Sequence, residues 1–404
     1  MKEWPSAIEI EPLRGLKEIR LTIPGSKSIT NRALILAALS HGEVTLRGAL
    51  WSEDTQVMVE AMQKMGLNLS VTQDPEESSN RIFRVQGLGD RRPLGGSFSH
   101  PMGIYIANSG TSSRFLMAFL CAAAGGWYRL DGTERMRERP QKELFLALRQ
   151  LGYTVVAEKE GFLPAVIGSD RPVTGGRCTI SQQESSQFAS ALLLCADRGD
   201  WQVEISGGEA GYLRMTREML SVFPRSGGHF DVEPDASSGS YFYGANVWAD
   251  GYPANKPVSV LRWPSSGWQP DEAFPRFMPL PPTVSRERDL GDSIMTGIVL
   301  ATQAESPVTF TDLGRLRVQE CERVQALRTE LGRCGARVEE EGDTLRVYPS
   351  RLRGAEIQTY NDHRMAFCFS LLGLGVPGIV IKNPKCVEKS FPSFFEKLEQ
   401  LRAH

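Results

Sequence analysis

The stretch PGSKSITNRALILAAL, residues 24–39, places two cations and four hydrogen-bonding side chains at the start of an apolar run with helical spacing. Serine and threonine are common at helix starts because their oxygens accept hydrogen bonds from free backbone N–H groups. Capping does not require cations. Lys27 and Arg32 lie against the positive end of the helix dipole, which is unfavourable unless an anion is bound there. The stretch therefore predicts a helix whose N-terminus contributes to an anion site.

The same pattern, a polar cluster that opens a helical run of small or apolar residues, occurs six times. The other five copies are NSGTSSRFLMAFLCAAA, SQQESSQFASALLLCA, DASSGSYFYGANVWA, GDSIMTGIVLATQA and NDHRMAFCFSLLGLG. Between them recurs a helix that ends in glycine and leads into a valine-rich strand, as in MVEAMQKMGLNLSV and LFLALRQLGYTVV. These repeats predict an α/β protein whose helix N-termini attract anionic ligands, and six unrelated helix caps are the alternative.

Length and composition limit the class of protein. A chain of 404 residues is too long for one ordinary core, so two domains of about 200 residues are expected. A hydrophobic content of 41% and a net charge of −2 are typical of a globular protein and disfavour a nucleic-acid partner. The N-terminus lacks a signal pattern and no apolar run is long enough to span a membrane, so we expect a cytoplasmic protein with no membrane partner.

Cysteine and histidine usage argues against a metal site. The seven cysteines are scattered and form no C-x-x-C pair, and the five histidines form no cluster. Such usage indicates reduced thiols in a cytosolic enzyme rather than a disulfide framework or a zinc site. We expect no bound metal.

Eight segments resemble, in the same order, the signature motifs of the 5-enolpyruvylshikimate-3-phosphate synthase family of enolpyruvyl transferases. They are PGSKSITNRALILAAL, NSGTSSR, DGTERMRERP, SSQFASALLL, DASSGSYF, LRVQECER, YNDHRMAFCFSL and NPKCVEKSFPSFF. The resemblance extends over nearly the whole chain. It implies an α/β, two-domain enolpyruvyl transferase fold in which each domain is an inside-out α/β barrel of repeated βαβαββ units. The implied domains are 24–235, on the acceptor-binding side, and 1–23 plus 236–404, on the donor-binding side.

The resemblance also implies a reaction. The family transfers the enolpyruvyl group of phosphoenolpyruvate to a hydroxyl group of shikimate 3-phosphate and releases phosphate, by addition and elimination through a tetrahedral intermediate. Each substrate carries a carboxylate and a phosphate, whose oxygens are matched by arginine forks and lysine charges. The reaction needs positioned acid, base and cationic groups but no metal and no organic cofactor. Family precedent favours a monomer.

The residues that the resemblance assigns to phosphoenolpyruvate are Lys27, Gly110, Arg139, Gln187, Arg323, Arg364 and Lys389. Those assigned to the acceptor are Ser28, Arg32, Ser185, Ser186, Tyr212, Arg315 and Gln319. Asp292 matches the aspartate proposed as the base toward the acceptor hydroxyl, and Glu320 matches the glutamate proposed to exchange protons with the methylene carbon. Together with Lys27, these two carboxylates are the implied catalytic residues.

The chain departs from the family pattern on the acceptor side. The lysine of the family motif RVKE is Gln319 here, the usual asparagine two residues before the arginine of that motif is Arg315, and Arg214 replaces an aspartate. The segment PDEAFPRFMPLPPTVSRERDLGDS, which leads to Asp292, is shorter than in the family, so one repeat unit is expected to be truncated. These departures leave a different phosphorylated polyol or a nucleotide as an alternative acceptor.

Other classes of protein are also considered. Elimination from a shikimate-like phosphate and a non-catalytic, ligand-binding relative both fit the same residues. The related transferase that acts on UDP-N-acetylglucosamine resembles this chain less, because its cysteine loop is not recognisable. A nucleotide hydrolase is disfavoured because GSKS lacks the G-x-x-x-x-G-K-[ST] spacing.

Overall fold

The computed structural model describes residues 3–15, 18–123, 125–171, 173–181, 185–207, 211–248 and 257–402. The strands are β1 (Ala7–Ile10), β2 (Ile19–Leu21), β3 (Glu43–Leu50), β4 (Leu69–Gln73), β5 (Asn80–Gln86), β6 (Met102–Tyr105), β7 (Gly126–Asp131), β8 (Thr154–Ala157), β9 (Ala165–Ser169), β10 (Arg177–Ser181), β11 (Gln202–Ser206), β12 (Gly228–Asp231), β13 (Val258–Val260), β14 (Thr283–Ser285), β15 (Val308–Thr311), β16 (Val338–Glu341), β17 (Thr344–Val347), β18 (Glu356–Ile357) and β19 (Ile379–Lys382).

The α-helices are α1 (Lys27–Leu39), α2 (Glu53–Lys64), α3 (Gly110–Ala123), α4 (Glu134–Glu138), α5 (Lys142–Gln150), α6 (Ser186–Gly199), α7 (Gly211–Val222), α8 (Ala236–Gly244), α9 (Ile294–Leu300), α10 (Arg323–Arg333), α11 (His363–Gly373) and α12 (Phe394–Gln400). Short 3₁₀ helices cover Ala245–Val247, Pro270–Phe277, Ala301–Gln303, Gly314–Val318 and Pro384–Lys389. In the part of the chain described here, no helix is both long and apolar enough to cross a membrane.

The six predicted helix starts are confirmed as α1, α3, α6, α8, α9 and α11. Caps hold several of them: the side chains of Ser185, Asp235 and Asp362 accept hydrogen bonds from backbone N–H groups of the first turns of α6, α8 and α11. Residues 182–184, at the third predicted start, lie outside the described residues. The predicted passage from helix through glycine to strand is also confirmed, since Gly66 and Gly152 follow α2 and α5 with φ angles of 82° and 89°.

The chain divides into two compact units. The middle unit is Gly25–Glu233, and the terminal unit combines Met1–Pro24 with Pro234–His404. In the middle unit, α1, α3 and α6 pack against one another and against strands of three sheets. In the terminal unit, α8, α9 and α11 pack against one another in the same way. These six helices are buried on nearly every side, which explains why their sequences are mostly apolar or small beyond the polar first turns.

Three four-stranded sheets share one strand order, and they are β12-β3-β5-β4, β6-β7-β9-β8 and β14-β15-β17-β16. In each sheet the first pair of strands is parallel and the other pairs are antiparallel. The smaller sheets are β1-β19-β18, β13-β2 and β10-β11. The expected repeated α/β architecture is therefore confirmed. Within the described residues none of these sheets closes on itself, so the units are not closed barrels. Only the packing of helices against the surrounding sheets corresponds to the term "inside-out barrel".

The predicted truncation is visible before Asp292. Between α8 and α9 the described residues contain no α-helix, and the shortened segment forms the 3₁₀ helix Pro270–Phe277 and the three-residue strand β14. In the described residues, β2 and β13 next to α8 form a two-stranded parallel sheet.

Gly168 tests the packing of the sheet β6-β7-β9-β8. A Cβ atom at Gly168 would lie 2.0 Å from the carbonyl oxygen of Gly126, and its φ angle of 146° disfavours other residues. We expect Gly168→Ala to destabilise the protein by about 2 kcal/mol or more, which lowers the melting temperature by about 4 to 8 °C. The matched control is Gly103→Ala in β6, where a Cβ has nothing within 4 Å. Equal melting temperatures for the two variants would contradict this packing.

Candidate functional site

Lys27 is the first residue of α1 and forms an ion pair at the starts of neighbouring helices. Its Nζ lies 2.9 Å from Oδ2 of Asp54, in the first turn of α2. The carbonyl oxygen of Asp54 accepts a 2.9 Å hydrogen bond from Oγ of Ser112 in α3. The Lys27 and Asp54 side chains are 17% and 5% exposed. The starts of α1, α2 and α3 thus lie together around a pair that is largely removed from water.

Arg139 lies across the start of α3. Its Nη1 donates a 3.1 Å hydrogen bond to the carbonyl oxygen of Asn108, and a Cβ atom at Gly110 would lie 2.5 Å from its Nη2. Glycine at position 110 therefore leaves the space that the guanidinium occupies. Arg139 is buried, and its Nε has no hydrogen-bond partner among the described residues. An oxyanion bound there would satisfy this donor.

Gln187 joins the start of α6 to the start of α3. Its Oε1 accepts a 2.5 Å hydrogen bond from Nη1 of Arg114, and its Nε2 donates to Oγ1 of Thr111 at 3.2 Å. Ser185 caps α6 by accepting from the backbone N–H of Gln187, and Ser186 is buried in the first turn. We define the middle-unit cluster as five residues: Lys27, Asp54, Arg114, Arg139 and Gln187.

Arg32 is hydrogen-bonded within the protein through all three of its guanidinium nitrogens. Its Nε donates to Oγ1 of Thr216 at 2.8 Å, and its Nη2 donates to Oγ of Ser190 and to the carbonyl oxygen of Tyr212. Its Nη1 donates to the carbonyl oxygen of Ser28. Burial lowers the pKa of Arg32 to about 10. In this arrangement Arg32 links α1, α6 and α7, and its role toward an acceptor stays a prediction.

Asp292 precedes α9 and is held between two arginines. Its Oδ1 lies 2.9 Å from Nη2 of Arg286, and its Oδ2 lies 3.0 Å from Nη2 of Arg364. Burial alone raises the pKa of the carboxyl group. The charges of Arg364, Arg286 and Arg323 outweigh burial and hold the pKa of Asp292 well below its usual range. The two arginines therefore favour the ionised form of Asp292.

Arg364, in the first turn of α11, is fixed by further partners. Its Nη1 donates to Oγ of Ser237 at 2.5 Å and to Oη of Tyr241 at 3.2 Å, both in α8. Its backbone N–H is capped by Asp362. The contacts with α8 hold the guanidinium in one orientation toward Asp292.

Glu320 is likewise held between two cations. Its Oε2 accepts a 2.8 Å hydrogen bond from Nη2 of Arg323, and its Oε1 lies 3.3 Å from Nζ of Lys389. Nε of Arg323 also lies 2.7 Å from Oδ2 of Asp362. Burial lowers the pKa of Arg323, but the charges of Asp362 and Glu320 overcome it and raise the pKa above its ordinary value.

Two acceptor-side departures fall close to these pairs. Gln319 accepts a hydrogen bond from Nη1 of Arg323 through its Oε1. Arg315 is half-buried in the 3₁₀ helix Gly314–Val318, and burial together with the charge of Arg286 lowers its pKa. The terminal-unit cluster, as used below, consists of Arg286, Asp292, Arg315, Gln319, Glu320, Arg323, Asp362, Arg364 and Lys389.

Sequence reasoning missed Arg286, Asp54 and Asp362. Arg286 belongs to the charged run SRERD, which is typical of a solvated loop, yet it follows strand β14 directly and is buried. Asp54 and Asp362 match ordinary helix-start residues, and their pairing with cations depends on tertiary contacts. In the described residues no group of three or more His, Cys, Asp or Glu side chains is placed to hold a metal ion.

Comparison with known proteins identifies a family. Residues 13–225 and 272–398 match the sequence model of EPSP synthase (3-phosphoshikimate 1-carboxyvinyltransferase). A 3-phosphoshikimate 1-carboxyvinyltransferase from Nostoc punctiforme is 33% identical over 98% of this chain and 99% of its own length. One from Rhizobium etli is 36% identical over 97% of this chain and 95% of its own length.

Solved structures agree on the fold. EPSP synthase from Acinetobacter baumannii matches with a TM-score of 0.71, 21% identity and coverage of 98% of both chains. An enolpyruvyl transferase from Streptomyces tendae matches with a TM-score of 0.69, 16% identity and coverage of 98% of this chain and 97% of its own. At these identities the likeness concerns the fold alone.

The buried ion pairs of Arg323 with Asp362 and Glu320 should contribute to the free energy of unfolding. Arg323→Met leaves the carboxylates of Asp362 and Glu320 buried without this cation, so we expect a loss of about 3 to 5 kcal/mol in the free energy of unfolding. The matched control in the same helix is Arg328→Met, whose side chain is 56% exposed and pairs with Glu340. The control should lose less than about 1 kcal/mol. Urea unfolding measures both, and similar losses would refute the importance of the buried pairs.

Proposed function

Since the chain belongs to the EPSP synthase family, we propose that it transfers the enolpyruvyl group of phosphoenolpyruvate to a hydroxyl group of shikimate 3-phosphate, with release of phosphate. The observation that carries this proposal is the terminal-unit cluster, in which two carboxylates, Asp292 and Glu320, are each held between two cations. Such pairs combine proton-transfer groups with charges that bind oxyanions. These are the components that the reaction needs.

Each cluster contains cations that suit a substrate with a carboxylate and a phosphate, such as phosphoenolpyruvate. Its carboxylate and phosphate suit Arg139, Arg364 and Arg323 as forks and Lys27 and Lys389 as point charges. The unpartnered Nε of the buried Arg139 supports this role. Gly110 supports it as well, because any larger residue would displace the guanidinium of Arg139. Gln187 would donate from its amide to a substrate oxygen.

The first step is an addition. The acceptor hydroxyl oxygen forms a bond to C2 of phosphoenolpyruvate while C3 gains a proton, and the hydroxyl proton passes to a base. We assign the hydroxyl proton to Asp292 and the proton at C3 to Glu320. Lys27 is assigned to the phosphate group, whose bridge oxygen gains negative charge when its bond to C2 breaks in the second step.

The second step is an elimination. The bond between C2 and the phosphate oxygen breaks, and phosphate leaves with the proton that Asp292 took from the hydroxyl group. C3 returns a proton so that the double bond forms again. Glu320 takes this proton back, which makes the same carboxylate acid and base in turn. Both of its oxygens are anchored, by Arg323 and Lys389, so its geometry can be kept between the two steps.

The low pKa of Asp292 bears on its role as a base. With Arg286 and Arg364 on its two oxygens, Asp292 is a weak proton acceptor before substrates bind. A substrate oxyanion that binds the same arginines offsets their charge, and this raises the pKa of Asp292 toward a useful range. Substrate binding would thereby switch on the base.

We also propose that the enzyme acts as a cytoplasmic monomer on small molecules and needs no cofactor. The seven cysteines are free thiols, which supports a reducing compartment. Sedimentation of the purified protein would test the monomeric state.

The proposed reaction is tested by incubating the purified protein with phosphoenolpyruvate and shikimate 3-phosphate. We expect release of inorganic phosphate together with a product heavier than the acceptor by one enolpyruvyl group. Bound phosphoenolpyruvate without turnover would contradict this acceptor and direct the search to other phosphorylated acceptors. If no acceptor supports phosphate release, the chain is a non-catalytic relative.

Lys27→Ala tests the middle-unit cluster. We expect the variant to lose about 100-fold or more in kcat, because the positive charge at the start of α1 is removed, and to keep its fold. Lys64→Ala is the matched control, since Lys64 is an exposed residue of α2 in the same unit. Steady-state kinetics and melting curves measure both variants. A Lys27→Ala enzyme with normal turnover would remove Lys27 from the mechanism.

A further inference from the structure

Arg286 and Arg315 lie at the same edge of one sheet. Strands β14 and β15 are adjacent and parallel, and the backbone N–H of Arg286, directly after β14, donates to the carbonyl oxygen of Thr311 at the end of β15. The chain continues from β15 into the 3₁₀ helix Gly314–Val318, which contains Arg315. Ligands of α/β proteins commonly bind beyond the carboxyl ends of parallel strands. Arg286 and Arg315 both follow such strand ends in the chain.

Arg286 has more donor capacity than its partner uses. It is 8% exposed, and its Nη2 donates to Oδ1 of Asp292 at 2.9 Å. Its Nε is buried and has no hydrogen-bond partner among the described residues. Buried polar groups in proteins are nearly always hydrogen-bonded, so an unsatisfied guanidinium donor next to a candidate base points to a ligand.

Arg315 adds a second positive charge at this place. It is half-buried, and after burial the largest influence on its pKa is the charge of Arg286, which lowers it. Glu287, an exposed residue of the same loop, opposes this effect only in part. Two neighbouring guanidinium groups repel each other, and an anion with two charges bound between them would relieve the repulsion.

Gln319 shows why such a site is needed. The family lysine that helps to hold the acceptor is this neutral amide, and its Oε1 is already bound by Arg323. Arg286 and Arg315 stand on a different pair of segments and supply the positive charge that position 319 lacks.

We propose that Arg286 and Arg315 together bind the phosphate group of the acceptor, beside Asp292. This inference rests on the proposed function, which supplies a phosphorylated acceptor. Arg286 would contact both the phosphate and Asp292, so that one guanidinium both selects the acceptor and orients the carboxylate next to its hydroxyl group. Arg286 is thus a specificity-determining residue.

Equilibrium binding without phosphoenolpyruvate tests the proposal. Calorimetric titrations compare shikimate 3-phosphate with shikimate, which lacks the phosphate, for the wild type, Arg286→Gln and Arg315→Gln. We expect each variant to lose about 10- to 100-fold in affinity for shikimate 3-phosphate. For shikimate we expect less than a twofold change in Arg315→Gln and, because Arg286 also holds Asp292, a loss in Arg286→Gln that stays well below its loss for shikimate 3-phosphate. Arg288→Gln, an exposed arginine of the same loop, should leave both affinities unchanged. Inorganic phosphate as a competitor should lose affinity in parallel.

Other outcomes would overturn the proposal. If both variants keep the wild-type affinity for shikimate 3-phosphate, the two arginines do not bind the phosphate. If the affinity for shikimate falls equally, the arginines bind the carboxylate that both acceptors share, and a phosphate site is again excluded. A wild type that does not bind shikimate 3-phosphate excludes it too. Arg286→Lys keeps the charge and covers the case in which Arg286→Gln unfolds. These titrations measure binding and not turnover. A wild type that binds the acceptor but forms no enolpyruvyl product in the separate activity assay would therefore contradict the proposed function and leave the phosphate site standing.

Discussion

The constraint on which the structure depends is the burial of cations at helix starts. Buried guanidinium and ammonium groups are costly unless carboxylates or ligands compensate them, and a helix N-terminus adds further positive potential. The terminal unit meets this cost with Asp292, Glu320 and Asp362. In the middle unit, Lys27 pairs with Asp54, while Arg139 keeps a buried donor unsatisfied. Anionic substrates are the natural partners for the positive charge that remains.

Much of the fold could be predicted from the sequence because it is repetitive. Six polar clusters before apolar runs mark six buried helices, and glycine marks passages from helix to strand such as those after α2 and α5. These signals are local, since capping and helix termination act within a few residues. The openness of the sheets could not be predicted, because it depends on which strands pair over long distances.

The candidate site was predicted only in part, for a related reason. Motifs identified Lys27, Asp292, Glu320 and the arginines around them, but not the partners that tune them. Arg286 lies in a charged run that is typical of exposed loops, and only its place at the end of β14 makes it a buried partner of Asp292. Arg32 matched a ligand-binding motif, yet its donors hold three helices together. Burial and pairing are tertiary properties, which local patterns do not encode.

In the proposed mechanism, Glu320 and Asp292 transfer protons in an addition that is followed by an elimination. Running the reaction in D₂O and measuring deuterium in the methylene group of the product tests it most directly. We expect deuterium at C3. The carboxyl group that protonates C3 exchanges its proton with the solvent, and one of the three hydrogens of the resulting methyl group is then lost. A product that carries no deuterium at C3 would show that C3 is never protonated and would contradict the mechanism.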